Sequence, residues 1–452
     1  MTRIAMSRRT SLLIVGDLLA YIFSLILTLA VRYGHVPDST LFFSHIGPFC
    51  ILFVIFVIVG MAVGLYDKRA AFMRSRVSAL IVQAQIINVI FGIVFFYFAP
   101  VAIAPKANLF IYFIISTAAL YVWRSIMFPV VVSGRKQTGV IIGSGDDVED
   151  LYEEINKDGK YGLIFREKLA PEHSAEKMSA MITEAVKKTG ASVLIADLRN
   201  PDIEGAMSSM YSLIFSGVQV MDVSSLYEAV FDRIPLSLVG KRWLVENSVV
   251  AVGQSRAYDL FKRAMDIVIA TIVGIVSLIL YPFIMIAIKL DDGGKLFVVQ
   301  ERVGKNGKTI KIIKFRSMTA NDQGVYGTGQ KTAQTITKVG RVIRLTRLDE
   351  LPQLWSVLKG EQSLIGPRPE LPALVKIYEE EVPYYNARHL IKPGLSGWAQ
   401  IYHKAHPHHA VAINDTRDKL SYDLFYVKNR SLALDIKIAL QTLRALISRQ
   451  GV

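Results

Sequence analysis

Four apolar runs occupy the first third of the chain, at roughly 11–31, 46–66, 79–99 and 107–132. Each is long enough to cross roughly 30 Å of hydrocarbon as a helix. Basic residues sit at alternate ends of these runs. Arg3, Arg8 and Arg9 precede the first; Lys68, Arg69, Arg74 and Arg76 lie between the second and third; Arg135 and Lys136 follow the fourth. The other loops hold only Arg32 and Lys106. By the positive-inside rule both ends of this bundle face the cytoplasm. The first run lacks a small-residue cleavage site and three more follow it, so it reads as a span, not a removed signal peptide.

From 137 to 250 the period changes. Thr138–Gly145 reads as a strand entering a glycine turn, Asp147–Ile155 as a helix, and Ser192–Asp197 and Gly217–Met221 as further strands separated by a helical stretch. This alternation predicts a small parallel α/β domain of Rossmann-like type. The turn Gly143-Ser144-Gly145 invites a dinucleotide reading, but Val148 stands where a third glycine is needed and Asp146 and Asp147 would repel a pyrophosphate. A regulatory or structural module is the better expectation.

A fifth apolar stretch, Ile267–Ile288, could span by length, yet Lys262 and Arg263 precede it and Lys289 and Lys295 follow it. Both ends therefore look cytoplasmic. Pro282 lies inside, removes a helical hydrogen bond and predicts a kink. The expectation is a re-entrant helix that dips into the membrane and returns. Beyond it, Phe297–Gln300 and Thr309–Phe315 alternate like short strands around a Gly304–Gly307 turn. From Asp435 to Arg449 a basic amphipathic helix carries Ile436, Ala439, Leu440, Leu443, Leu446 and Ile447 on one face; it suits either the membrane interface or packing on the soluble core.

Composition adds to this pattern. Of 452 residues 52% are hydrophobic, above the share of an ordinary soluble protein, and the single cysteine, Cys50, excludes an intrachain disulfide. A formal charge of +14 would suit nucleic acid or an anionic membrane; with apolar spans present, membrane lipid is the expected partner and nucleic acid is not. Between Gln300 and Arg347 stand eleven Lys/Arg against two acids, Glu301 and Asp322. This basic tract runs into Asp349-Glu350, set just before a helix that Pro352 opens and Leu351, Leu354, Trp355 and Leu358 continue. A carboxylate pair enclosed by cations suggests chemistry on a phosphorylated substrate. Read alone, the same pair is equally plain compensation of a helix dipole.

Seven motifs then occur in one order: Lys262-Arg263-Ala264-Met265-Asp266, Gln300-Glu301-Arg302-Val303-Gly304, Lys314-Phe315-Arg316-Ser317-Met318, Leu348-Asp349-Glu350-Leu351-Pro352-Gln353, Ile365-Gly366-Pro367-Arg368-Pro369, the stretch Lys392 to Gln400, and Tyr422 to Asn429. Over about 255–452 they resemble the bacterial sugar transferase family, the monotopic phosphoglycosyl transferases, and the whole chain resembles its long form. The resemblance implies transfer of a sugar 1-phosphate from a nucleoside diphosphate sugar, usually a UDP-sugar, to undecaprenyl phosphate at the bacterial inner (cytoplasmic) membrane, with the catalytic domain on the cytoplasmic face. It implies Asp349 as nucleophile, forming a phosphosugar–enzyme intermediate. Glu350 would join it in holding Mg²⁺ or would deprotonate the lipid phosphate. Lys314, Arg316, Arg344 and Arg368 are the candidate phosphate clamps, and Gln400 a candidate substrate contact on a loop that equally reads as a packed turn. Two departures stand out. Tyr281-Pro282 replaces the family's Ser-Pro, and Ile401 to His409 departs from the usual segment; its four histidines read as an exposed loop.

The expected architecture is thus a membrane protein of α/β type: a four-helix transmembrane bundle over 1–136, a Rossmann-like domain over 137–250, and over 255–452 a re-entrant helix with a mixed α/β catalytic module and interfacial helices. The competing reading is a non-catalytic membrane scaffold that holds anionic lipid on its basic face. An oxidoreductase on the glycine turn is disfavoured, since no Tyr-x-x-x-Lys pair accompanies it. The sugar, the glycan pathway and the oligomeric state, a homo-oligomer among the options, stay open.

Overall fold

The computed structural model describes residues 8–66, 74–98, 106–128, 137–157, 161–240, 244, 256–319, 335–402 and 413–447. The chain divides into two compact units, Met1–Phe231 and Asp232–Val452. In the first, the apolar runs form α1 (Arg8–Tyr33), α2 (Ser39–Val63), α3 (Arg74–Phe98) and α4 (Lys106–Val122), the last continued by a π-helical turn, Trp123–Met127. Among the described residues four helices are long and apolar enough to cross a membrane. The second starts seven residues before its apolar run, because Asp38 caps it: the Leu41 amide donates to Asp38 Oδ1 at 2.8 Å.

Polar groups tie this bundle together. Arg124 in the π turn donates to Asp17 Oδ1 of α1 at 2.9 Å and to the Leu65 carbonyl at 2.7 Å, and the Tyr66 hydroxyl donates to Asp17 Oδ2 at 2.6 Å. One turn of α1 accepts both neighbours, since Gly16 leaves the room that the Trp123 ring fills. A buried pair satisfied on every side in this way is costly to break from one partner only.

The rest of the first unit holds a parallel sheet of β1 (Gln137–Ile142), β2 (Leu163–Leu169), β3 (Val193–Ala196) and β4 (Gln219–Asp222), in the order β2-β1-β3-β4. Helices α5 (Asp146–Lys157), α6 (Ala175–Thr189), α7 (Met207–Phe215) and α8 (Val223–Phe231) connect and cover it. The expected strands and first helix are present within a residue or two. Strand β2 was not expected: its Arg166, Glu167 and Lys168 dilute the apolar signal, and pairing with β1 outweighs them.

In the second unit the fifth apolar stretch is two helices, α9 (Arg256–Leu278) and α10 (Tyr281–Asp292), bent by 56°. The break lies at Ile279–Leu280, ahead of Pro282, which occupies the first turn of α10. A proline ring collides with the carbonyl four residues earlier. That residue is Leu278, where α9 ends. The strands β5 (Phe297–Val303) and β6 (Thr309–Phe315) form an antiparallel hairpin with Val303 opposite Thr309 at the turn and Phe297 opposite Phe315 at the far end. Then follow α11 (Lys338–Leu345), a 3₁₀ turn (Leu348–Gln353), α12 (Leu354–Lys359), β7 (Ser363–Ile365), α13 (Pro372–Glu381), β8 (Gly394–Ser396), α14 (Trp398–Tyr402), α15 (Ile413–Asn429) and α16 (Leu432–Ile447). Strands β7 and β8 pair in parallel.

The largest apolar cluster of this unit joins Val375, Tyr378, Trp398, Leu424 and Ile438. Ile234, Leu236, Val239 and Leu244 pack with it: Ile234 is fully buried there, and the Asp232 carbonyl accepts from Trp398 Nε1 at 2.8 Å. On α16 the packed side is Leu434, Asp435 and Ile438, while Leu440, Leu443 and Leu446 point outward. The apolar face read from the sequence is therefore the uncovered one. Most apolar side chains of α9 and α10 are exposed as well.

Candidate active site

The carboxylate pair lies inside the 3₁₀ turn, not ahead of an α-helix; α12 starts only at Leu354. Arg347, immediately before the turn, has φ +57°. A left-handed backbone at a residue other than glycine, asparagine or aspartate is uncommon, and such positions cluster at functional sites. It turns the chain sharply off α11, so that Arg344, Arg347 and the carboxylates share one small volume.

Glu350 is the anchored member. Its Oε1 accepts from Arg368 Nη2 at 2.8 Å, with Lys314 Nζ at 3.4 Å and Arg347 Nη1 at 3.9 Å. Burial pushes its carboxyl up, but Arg368 and Lys314 pull harder and hold it well below the usual range. Asp349 is the opposite case. It is buried, and among the described residues nothing donates a hydrogen bond to its carboxylate. Burial and then the neighbouring Glu350 charge raise it to about 6, although Lys314, Arg344 and Arg347 pull against them. Lys314 falls to about 8, first through burial and then through Arg368. One carboxylate thus gathers three cations on a single oxygen while its neighbour, among the described residues, accepts no hydrogen bond and is raised to about 6.

Three of the expected clamps meet this pair: Lys314 from the end of β6, Arg344 from the last turn of α11, and Arg368 from the Gly366–Pro369 loop. Arg316 does not. It forms an ion pair with Asp292 at the end of α10 and fills the space beside Gly294, where no side chain could fit. Its place in the sequence, two residues after Lys314, puts it on the same strand face, but the strand ends at Phe315 and the chain turns away. Arg347 was counted only as part of the basic tract; its role depends on its backbone angle, which nothing in the sequence announces.

The Arg368 loop is held from three directions. Arg388 Nη2 donates to the Arg368 carbonyl at 2.9 Å, Arg302 Nη1 to the Pro369 carbonyl at 3.3 Å, and the Val303 amide to the Glu370 carbonyl at 2.9 Å. Arg388 is itself buried, paired with Asp423 at 2.7 Å and bonded to the Tyr385 hydroxyl at 2.6 Å. Strand β8 closes the other side: Gly394 N donates to the Pro367 carbonyl at 2.9 Å, and a Cβ on Gly394 would lie 2.1 Å from Gly366 N.

Trp398-Ala399-Gln400, expected on a loop, form the first residues of α14; Trp398 is core, stacked on Phe425 with Lys437 over its ring. Gln400 stands beside Gly397, which packs on the Gly366 carbonyl; its Oε1 is buried without a hydrogen-bond partner among the described residues. That is a buried acceptor without a donor next to the Arg368 loop, not an accessible substrate contact. His403, His406, His408 and His409 lie outside the described residues.

With this geometry in hand, comparison with known proteins is specific. Residues 257–449 match the family model described as "Bacterial sugar transferase". A 38% identity over 202 residues, 43% of this chain, covers 95% of the exopolysaccharide production protein PSS of Rhizobium leguminosarum bv. phaseoli. This chain belongs to the bacterial sugar transferase family. The family member from Aeromonas hydrophila named UDP-N-acetylgalactosamine-undecaprenyl-phosphate N-acetylgalactosaminephosphotransferase is 36% identical over 57% of this chain and 59% of its own length. The UDP-glucose:undecaprenyl-phosphate glucose-1-phosphate transferase of Escherichia coli K12 is 39% identical over 40% and 39%. The chain therefore spans about half the length of these two relatives. The family match contains every residue of the carboxylate site and, but for Arg256, both bent helices, and none of the four-helix bundle.

Proposed function

We propose that the chain transfers a sugar 1-phosphate from a nucleoside diphosphate sugar to undecaprenyl phosphate at the cytoplasmic face of the bacterial inner membrane, as the initiating step of a glycan. The observation that carries this reading is the asymmetry of the pair. Among the described residues nothing donates to the Asp349 carboxylate, while Glu350 beside it gathers Arg368, Lys314 and Arg347. A nucleophile must be free and ionised; the charge that develops on the phosphoryl oxygens must be met by fixed cations.

In the first half-reaction an Asp349 oxygen attacks the phosphorus that carries the sugar. The bond to the nucleoside phosphate breaks and the nucleoside monophosphate leaves with the electron pair. In the second, an oxygen of undecaprenyl phosphate attacks the same phosphorus and displaces the Asp349 carboxylate. Lys314, Arg344, Arg347 and Arg368 neutralise the phosphates in both. Two carboxylates without a third are what Mg²⁺ tends to use together with substrate phosphates; among the described residues no larger acidic or histidine cluster exists. Asp349 and Glu350 would hold the ion, which supplies further neutralisation of the diphosphate when bound. Relatives named for different sugars point to a UDP-hexose class of donor without choosing the sugar.

The membrane placement rests on α9 and α10. The base of α9 is held by Asp266 Oδ1, which accepts from Leu364 N at 3.0 Å, and the end of α10 by Asp291 Oδ2, which accepts from Val339 N at 2.9 Å. Both polar ends are thus bound to one compact module, which supports a re-entrant hairpin that leaves the site on the side where sugar nucleotides are found. The test is transfer of radiolabelled sugar phosphate to lipid. Asp349→Asn is expected to reduce it to the level of a protein-free control while the purified variant keeps its melting temperature. Full transfer by that variant, or a wild-type chain that releases no nucleoside monophosphate from any UDP-sugar, would overturn the proposal.

A further inference from the structure

A second basic cleft lies at the base of α9, with a cavity of about 110 Å³. Lys262, Arg263, Lys305, Lys392 and Arg430 line it. Two acids also reach it, and both are engaged: Asp266 accepts from Leu364 N, and Asp259 pairs with Arg430 at 3.4 Å. Arg263 donates to the Val357 and Leu358 carbonyls at 2.6 and 2.7 Å, and Lys262 pairs with Asp435 at 2.9 Å. Lys392 converges with Arg263 on Gly360, which has φ +85° and would place a Cβ 3.2 Å from the Arg263 guanidinium and 3.5 Å from Lys392 Nζ. Burial, and then Arg263, push the Lys392 ammonium below the usual lysine range. Positive charge has been brought together here beyond what the local acids offset, and an anion would relieve it.

This cleft is separate from the carboxylate site. Lys305 stands at the turn of the β5–β6 hairpin and Lys314 near its open end, roughly 17 Å along the strand. The cavity is far below the size of a nucleotide-sugar pocket but fits one phosphate-sized group. Its surroundings indicate which phosphate. Leu260 and Phe261, on the same turn as Lys262, are 73% and 51% exposed, and the uncovered Leu440, Leu443 and Leu446 face of α16 is joined to this turn through Asp435. Cations rimmed by outward-facing apolar side chains at the point where a helix enters hydrocarbon match the headgroup layer of a bilayer.

We propose that the cleft formed by Arg263, Lys305 and Lys392 binds the phosphate of an anionic phospholipid headgroup and fixes the second unit to the membrane surface. The occupant is a structural lipid, distinct from donor and acceptor of the proposed reaction.

The test uses the full chain in neutral detergent and native mass spectrometry with phosphatidylglycerol or phosphatidylcholine added in equal amounts. Wild type is expected to retain phosphatidylglycerol preferentially. Lys305→Gln should lower that preference about fivefold, the value of one interfacial cation, and the Lys305→Gln/Lys392→Gln double variant should bring it to parity. Lys308→Gln, an exposed lysine on the same hairpin outside the cleft, should leave it within twofold. An equal loss in Lys308→Gln and Lys305→Gln would mean diffuse surface charge and overturn the site, as would an unchanged preference in Lys305→Gln. Saturation of the cleft by millimolar inorganic phosphate with no preference between the lipids would overturn the lipid assignment. Lys305→Gln, at an exposed turn position, carries the test if burial makes Lys392→Gln unstable. Nucleoside monophosphate release by Lys305→Gln in detergent stays at the wild-type level, so failure here and failure of the transferase reading are told apart.

Discussion

Two adjacent carboxylates in one turn differ by their partners alone. Asp349, raised to about 6 by burial and by Glu350, is protonated in acid and ionised at neutral pH; Lys314, lowered to about 8 by burial and by Arg368, loses its charge in mild alkali. If Asp349 must be ionised and Lys314 charged, kcat/KM rises with pH to about 6, is flat to about 8 and then falls. Substitutions should move the two limbs separately. Glu350→Gln removes the like charge and frees its cations, so the acid limb moves to lower pH even as turnover drops. Lys314→Arg places a guanidinium that stays protonated, so the alkaline limb disappears. Initial rates of nucleoside monophosphate release across pH 4–10 read both; an acid limb that stays near 6 in Glu350→Gln would detach it from Asp349.

At the scale of elements, the site depends on a loop whose stiffness comes from outside it. Prolines flank Arg368, but the contact that fixes its backbone is Arg388, fully buried between Asp423, Glu370 and Tyr385. Arg388→Ala leaves the buried Asp423 without its cation, while Glu370 keeps Lys419, and should cost about 3–5 kcal/mol of stability. Replacing the pair together, Arg388→Met with Asp423→Leu, should recover much of that by thermal melting. It should not recover kcat/KM, because the Arg368 carbonyl still lacks its donor; recovery of both would reduce Arg388 to a core residue. The elements themselves were largely legible. Apolar runs, a period-2 hairpin around Gly304–Gly307 and a proline in an apolar stretch are local signals, and local signals survive in the fold. What was not legible depends on tertiary context: the 3₁₀ geometry around Asp349, the left-handed Arg347, the diversion of Arg316 to Asp292, and strand β2, whose charged residues are outweighed by its neighbour.

For the whole molecule, the side of the membrane on which the proposed site lies depends on whether the bent pair spans or returns. The apolar part of α9 and the whole of α10 each contain about twelve residues, roughly 18 Å, so neither arm alone reaches across roughly 30 Å of hydrocarbon. At a 56° bend the two together could just do so, and length does not separate a span from a hairpin. Attachment argues for the hairpin. Lys262 and Arg263 at one end, and Asp291 and Asp292 at the other, are each bonded to residues of the same unit. A crossing would need that unit to present bonded surfaces on both faces of the bilayer. The sole cysteine allows a direct reading. In a Cys50→Ser background, His35→Cys marks the loop between α1 and α2, while Asp259→Cys and Lys295→Cys mark the two ends of the pair, all at exposed positions. A membrane-impermeant maleimide added to intact spheroplasts should label His35→Cys and leave Asp259→Cys and Lys295→Cys unlabelled until lysis. Labelling of Lys295→Cys from outside would make the pair a fifth span, put Asp349 on the outer face away from cytosolic sugar nucleotides, and remove the basis for its proposed chemistry.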